Sequence, residues 1–336
     1  MVNTFKDGKH FWGINQSSYM TIDAIIGNPP YQVMDGGNKV SATPVYQRFV
    51  GLAKQANPTY ISMIMPAKWY NGGKGLEDFR SDMLSDKCVA KLFDYVDGHE
   101  CFPTVDIAGG VCYFLRDKKY NGLCNVITTV NGQRLCNKRQ LNSEEVFIRH
   151  IEELGILAKV KVSKAFLSVF SRKPFGLATD VKPTPSGDIQ IRYNGGIGPF
   201  KRSLVSTNSD LIGKWKVISS YLTAEHAGET DRNGQKRIIS TLEILAPETV
   251  CSETYLLLSV FDTEIEAKHY LGYIKTKFVR ALIAMITATQ HLSRTNFRYV
   301  PLQDFSRSWT DNDLYTKYKL SQEEVSFIER TIKPMD

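Results

Sequence analysis

Residues 23–31 read Asp-Ala-Ile-Ile-Gly-Asn-Pro-Pro-Tyr, and this stretch carries the most specific chemistry in the chain. Asp23-Ala24-Ile25-Ile26 is a short apolar run of the kind that forms a buried strand in a parallel sheet. Pro29 and Pro30 lack amide donors and end that strand. The chain must therefore turn at a strand's carboxyl end, where open α/β sheets keep their sites. Asn28 brings a side-chain carbonyl, Pro29 a backbone carbonyl and Tyr31 an aromatic face. Two acceptors beside a stacking ring suit an exocyclic amine on a flat heteroaromatic base. The same four residues also make an ordinary turn, since Asn before Pro is a common turn starter.

The stretch resembles the catalytic motif of the amino-group (N6-adenine and related) methyltransferases. The wider segment IIGNPPYQVMDGG…ATPVYQRFVGLAKQANPTYISMIMPAKWYNGGKGLEDFR is similar to the adenine-specific DNA methylases of restriction–modification systems, the Eco57I-like group in particular. The similarity continues through FPTVDIAGGVCYFLRDKKYNG and, more weakly, through TKFVRALIAMITATQHLSRTNFRYVPLQDFS.

The resemblance implies a site-specific DNA adenine N6-methyltransferase using S-adenosylmethionine. Asn28 and the Pro29 carbonyl would accept hydrogen bonds from the N6 amine of an adenine flipped out of the duplex, with Pro30 shaping the turn. Tyr31 would stack on the base and Phe102 form the opposite wall. Asp106 and Lys68-Trp69-Tyr70 would lie on the same rim, and Arg80 would meet either a phosphate or a nearby acid such as Glu77. Family members bind the cofactor through a glycine-rich loop upstream of this motif. Only about twenty residues precede Asp23, with Gly8 and Gly13 their only glycines. The expectation is thus the C-terminal portion of such an enzyme, completed by an N-terminal half or a restriction subunit and inactive alone if that is so.

The elements that must hold this loop follow from periodicity. The expected fold is α/β, a partial class I methyltransferase (Rossmann-like) sheet over 1–145 followed by an α+β target-recognition domain over 146–336. Pro44–Gln55 has a helical stripe at Val45, Phe49, Leu52 and Ala53. Thr59–Met65, Val89–Tyr95 and Gly109–Leu115 read as strands, and Leu76–Leu84 as a helix with Phe79, Met83 and Leu84 inward. Leu123–Val130 pairs back on Gly109–Leu115 as a hairpin. A half-sheet of this kind leaves an apolar edge strand. Ser143-Glu144-Glu145 reads as a helix start.

Beyond residue 163 the chain turns to short strands and turns, among them Lys173–Gly176, Lys182–Gly187 and Ile189–Tyr193, with Asn194–Pro199 a turn. Glu264–Thr289 is one long helix, with Ala267, Leu271, Ile274, Phe278, Leu282 and Met285 or Ile286 inward. Ser321–Glu324 is a capping box. In the second domain the base-contact candidates are Gln290, Arg294, Asn296 and Arg298, and the phosphate candidates Lys275, Lys277 and Arg280. The interval 157–201 holds eight Lys or Arg against Asp180 and Asp188, either a solvated face or a phosphate-contacting surface.

With 42% hydrophobic and 23% charged residues the chain is of ordinary globular composition. No apolar run reaches the roughly 18–20 residues needed to cross a bilayer, and no signal-peptide core is visible, so a cytoplasmic place is expected. The six cysteines show no Cys-x-x-Cys spacing, which argues for buried free thiols and against a metal site. A net charge of +7 is compatible with a double-stranded DNA partner. Two other readings remain: a non-catalytic DNA-binding or specificity module that keeps the loop, and a methyltransferase acting on RNA or on protein glutamine.

Overall fold

Alternation at period two divides the first sheet into two faces of different character. In a computed structural model, residues 22–33, 43–73, 75–107, 109–221, 231, 234–287 and 292–335 are described. The chain groups into two compact units, one of Met1–Trp69 with Gly73–Glu145 and one of Tyr70–Gly72 with Val146–Asp336.

The first unit runs β1 (Ala24–Gly27), β2 (Gln32–Val33), β3 (Thr43–Pro44), α1 (Tyr46–Gln55), β4 (Tyr60–Pro66), α2 (Glu77–Ser85), β5 (Val89–Tyr95), β6 (Val111–Asp117), β7 (Cys124–Val130) and β8 (Gln133–Arg139). Its six-stranded sheet has the order β1-β4-β6-β5-β7-β8. β1 runs parallel to β4 and β5 parallel to β7, while β6 and β8 are antiparallel to their neighbours. The fold is α/β with a mixed sheet. β1, β4, β5 and β7 share one direction, so the loops after β1 and β5 emerge on the same side.

One face of the sheet, with Ile61, Met65, Leu92, Cys112, Phe114 and Val126, is fully buried. Trp69 lies at this face, its indole N–H donating to the Cys112 thiol at 3.3 Å and its ring meeting Phe79 of α2 edge-on at 5.6 Å. The opposite face is half-exposed. There Phe93 stacks on Tyr113 at 4.3 Å and Tyr95 lies beyond.

Several expectations change. β1 is parallel as anticipated but is an edge strand and is not buried: Ile26 is 83% exposed, because β4 is its only neighbour among the described residues. β7 does not pair with β6. Both edges of β6 are taken by β4 and β5, so β7 joins the free edge of β5 and turns back into β8. Asn131 and Gly132 make that turn, both at positive φ (51° and 74°), as a two-residue hairpin of right-handed twist requires. The α1 stripe is Tyr46, Val50 and Ala53, with Leu52 42% exposed, so the expected stripe was rotated. α2 buries Phe79, Met83 and Leu84.

The second unit runs α3 (Ile151–Val160), β9 (Ile189–Tyr193), β10 (Gly196–Phe200), β11 (Trp215–Ser220), β12 (Leu242–Leu245), β13 (Thr249–Cys251), β14 (Tyr255–Phe261), α4 (Glu264–Lys275), α5 (Lys277–Met285), α6 (Asp311–Lys317) and α7 (Gln322–Thr331). Two three-stranded sheets, β10-β9-β13 and β12-β11-β14, accompany the helices. The core clusters Ile156, Val217, Leu258, Tyr273, Phe278, Leu282 and Ile328.

Here too local physics revises the reading. No helix begins at Ser143: the segment passes a 3-10 turn at Leu141–Ser143, and α3 starts at Ile151, where His150 and Glu153 cap each other. Lys173–Gly176 and Lys182–Gly187 are turns and irregular chain, whereas of the expected turn Asn194–Pro199 only Asn194 and Gly195 turn, and Gly196–Phe200 is strand β10. The long helix is two. Thr276, at ψ 147°, ends α4, and its side chain accepts from Val279 N–H to begin α5. The Asp311 carboxylate accepts from the N–H groups of Lys277 (3.1 Å) and Phe278 (2.8 Å), so the freed donors are satisfied. The end of the predicted helix, from residue 288, lies outside the described residues. The Ser321–Glu324 capping box forms as read.

Three of the six cysteines are buried, Cys112, Cys124 and Cys251, while Cys136 is exposed on β8, and all six are free. Among the described residues no helix is long and apolar enough to cross a membrane.

Candidate functional site

β1 ends at Gly27, and the next four residues carry the chain out of the sheet without regular structure. The register of β1 is set at its start, where Tyr60 N–H donates to Asp23 carbonyl at 2.9 Å. The outgoing chain is fixed by Val45, whose N–H donates to the Tyr31 carbonyl at 3.2 Å, and by the short β2–β3 ladder.

The second wall grows from the loop after β5. Asp97 accepts from His99 N–H at 2.9 Å and starts a 3-10 turn over Gly98–Glu100. Phe102 N–H closes back on the Gly98 carbonyl at 2.8 Å, and Val105 N–H on the Phe102 carbonyl at 3.1 Å. Gly98 packs closely on this loop: a Cβ there would stand 3.3 Å from both the Ile107 side chain and its carbonyl, a tight contact.

Between these walls lies a cleft of about 400 Å³ lined by Asn28, Pro29, Pro30, Tyr31, Gln32, Phe102, Val105 and Ile107. Asn28 is exposed, Pro29 buried and Tyr31 half-buried. The Tyr31 hydroxyl is buried with no hydrogen-bond partner among the described residues. Burial, and after it the Cys101 and Cys112 thiols, raise its pKa. The phenol is therefore held neutral, and the residue offers a ring more than a hydroxyl. The cleft presents two exposed amides, Asn28 and Gln32, and two aromatic side chains among apolar walls.

The residues expected around it separate. Asn28 to Tyr31 and Phe102 share the cleft. Asp106 is exposed on the Phe102 loop. Trp69 and Tyr70 are not on a rim: they are 0% and 2% exposed, because their rings fill core space. Arg80 Nε donates to the Trp69 carbonyl at 2.7 Å and so holds the 3-10 turn after β4. Val105, Ile107 and Gln32 were missed, and the signal for them was only their place in the loops that follow β1 and β5.

In the second unit, Arg280 is 2% exposed, and its guanidinium donates to the carbonyls of Lys275, Thr276 and Lys333, a helix-junction role in place of a phosphate contact. Lys277 reaches the Glu329 carboxylate at 2.5 Å. Asn296 is 7% exposed and is spent on structure, donating to Thr287 Oγ1 at 3.1 Å and accepting from Ser293 N–H at 2.8 Å. Arg294 is exposed, Arg298 lies 4.9 Å over the Tyr299 ring, and Lys275 is partly buried near the α4 end. Gln290 lies outside the described residues. Of the basic interval, Lys159, Arg172, Lys173 and Arg192 meet acids far along the chain, namely Glu324, Glu253 and Glu243. No cluster of metal-ligating residues occurs among the described residues.

The fold is α/β, and the cleft lies at the strands' carboxyl ends, where such sheets keep their sites. Residues 1–102 match the family described as Eco57I restriction-modification methylase. A Mycoplasma pneumoniae protein described as an uncharacterized adenine-specific methylase is 37% identical over 146 residues, covering 39% of this chain. The match covers 34% of that relative's length, so the chain spans about a third of it. Two solved structures are similar over most of the chain. The type IIG restriction endonuclease BpuSI shows 10% identity and a TM-score of 0.35 over 87% of this chain and 50% of its own. The type IIL restriction-modification enzyme MmeI, solved in complex with DNA, shows 10% identity and a TM-score of 0.40 over 83% and 45%.

Proposed function

We propose that the chain supplies the target-base pocket and a DNA-binding unit of a restriction–modification DNA methyltransferase that acts on adenine N6. The observation that carries this reading is the cleft that joins Asn28-Pro29-Pro30-Tyr31 to Phe102. The family match over 1–102 and the relative described as an adenine-specific methylase support it.

In this reading a flipped adenine enters between Tyr31 and Phe102. Each base–aromatic contact is worth about 1–3 kcal/mol. The Asn28 side-chain carbonyl and the Pro29 carbonyl accept the two hydrogens of the N6 amine. That draws the nitrogen lone pair out of conjugation with the ring and makes N6 a better nucleophile. Positioning and electrostatics then supply the rate contribution of this chain, with no general base required to begin. The second unit, 146–336 with Tyr70–Gly72, holds the duplex.

S-adenosylmethionine is the methyl donor the resemblance implies. Its ammonium, carboxylate and ribose hydroxyls call for a cluster of backbone N–H groups and acidic partners. The cleft offers Asn28, Gln32 and apolar walls, which fit the base and not the donor. That mismatch also favours a second reading, a DNA-binding specificity module that keeps the loop.

The experiment is incubation of the chain with labelled S-adenosylmethionine and unmethylated genomic DNA, with mass spectrometric detection of N6-methyldeoxyadenosine. Parallel titrations measure binding of the donor and of DNA. Product that disappears in Asn28→Ala supports the methyltransferase. DNA binding without donor binding supports the module. Absence of DNA binding overturns both.

A further inference from the structure

The side-chain hydrogen-bonding groups that line the cleft are the amides of Asn28 and Gln32 and the hydroxyl of Tyr31. The hydroxyl is buried, so a ligand in the cleft meets the two amides. Both amides are on exposed residues, and neither makes a side-chain hydrogen bond among the described residues. The reading proposed above uses Asn28 and gives Gln32 no part.

Gln32 is anchored through the main chain on both sides. Just before it, the Tyr31 carbonyl accepts from Val45 N–H at 3.2 Å. Gln32 itself pairs with Pro44 in the two-residue ladder of β2 and β3. Successive side chains of a strand point to opposite faces, so Gln32 and Val33 diverge, and Gln32 is the one that lines the cleft. A side chain set on a paired strand is placed more precisely than one on a free loop.

The amine of adenine lies between two unprotonated ring nitrogens, N1 and N7, and each needs a donor. The Pro29 carbonyl can only accept. With the Asn28 oxygen it draws the amine hydrogens out of the ring plane, which turns the Asn28 amide away from in-plane pairing with a ring nitrogen. Gln32, one methylene longer, is the remaining side-chain donor. An amide NH2 of this kind pairs with the edge of adenine. We infer that the Gln32 side-chain NH2 donates to N1 or N7 of the bound adenine and so helps to select the base. The inference rests on the base-pocket reading proposed above, and its test separates the two.

The whole chain, Gln32→Leu and Gln32→Glu are titrated by ligand-observed NMR with adenosine, 1-deazaadenosine, 7-deazaadenosine and N6,N6-dimethyladenosine. Thermal melting identifies the folded variants, and either one suffices. The wild type should bind adenosine about three- to tenfold more tightly than one of the two deaza nucleosides, the worth of a single hydrogen bond. The variants lack the donor and should bind adenosine and that deaza nucleoside alike. A preference that persists in the variants, or is missing from the wild type, overturns the role of Gln32. The base-pocket reading then still stands if N6,N6-dimethyladenosine, which has no amine hydrogens, binds more weakly than adenosine. Equal binding of the dimethyl nucleoside, or no saturable binding of adenosine, overturns both.

Discussion

The backbone N–H of Val45 donates to the carbonyl of Tyr31 across 3.2 Å, tying the aromatic end of the cleft loop to the residue that precedes α1. The ring is thus positioned by main-chain geometry, while its hydroxyl is buried without a partner among the described residues.

Tyr31→Phe therefore keeps the stacking face and removes a polar atom whose burial costs about 1–3 kcal/mol when unpaired. The expected outcome is equal or higher thermal stability and, on the proposed methyltransferase reading, methyl transfer retained. On the same reading Tyr31→Ala and Asn28→Ala abolish transfer and leave duplex affinity within about twofold. Loss of activity in the phenylalanine variant would give the hydroxyl a role that this geometry denies it.

Asp311 caps α5 from another helix, through one oxygen to Lys277 N–H and the other to Phe278 N–H. Asp311→Ala should lower stability by about 1–2 kcal/mol, read as a lower urea midpoint at constant slope. Asp311→Asn should recover part of the loss, since its amide oxygen still accepts.

Asp86 joins three elements, meeting Lys54 of α1 at 2.8 Å and Arg116 of β6 at 2.9 Å just after α2. Burial alone would raise its pKa, but the hydrogen bonds from Lys54 and Arg116 outweigh that and the net shift is downward. A carboxyl with a folded pKa below its unfolded value of about 3.9 stabilises the fold above that value. That contribution fades as pH falls through the folded value. Melting of the chain between pH 6 and pH 2 should show it, and Asp86→Asn should flatten this part of the profile.

Lys216 behaves in the opposite sense. It is 0% exposed, its ammonium donating to the carbonyls of Ile212 (2.6 Å) and Lys214 (2.7 Å), and burial lowers its pKa to about 8. The unfolded chain, with a lysine pKa of about 10.4, binds this proton more tightly. Its contribution to stability should rise from about pH 8 to about pH 10. Comparison with Lys216→Gln over that range isolates it; a profile unchanged by the substitution would remove the lysine as its source.

The strands Val89–Tyr95 and Tyr60–Pro66 and the inward face of α2 were legible because a buried sheet face and a helix stripe each impose one period on the sequence. The turn after β1 was legible because two consecutive prolines allow little else. Pairing was not. β7 could have joined β6 or β5 by its own pattern, and only the occupation of both edges of β6 decides. The break at Thr276 was hidden because apolar spacing continues through it, while its cap, Asp311, lies 35 residues on. Arg280 and Asn296 illustrate the same limit at the candidate interface. Their side chains are those that bind nucleic acid, yet the backbone groups they satisfy are set by tertiary structure alone.

The second unit is discontinuous along the chain, since Tyr70–Gly72 belongs to it. Tyr70 is 2% exposed, its ring 4.4 Å from that of Phe147 and under the Arg149 guanidinium, and its carbonyl accepts from Phe147 N–H at 2.8 Å. A polypeptide beginning at Val146 lacks that ring and leaves a void the size of a tyrosine, a loss of about 3–5 kcal/mol by comparison with large-to-small aromatic replacements. During synthesis, the second unit's missing piece is made some seventy residues before the rest. Tyr70 must then wait for its pocket, which makes the earlier-made segment a late participant in folding.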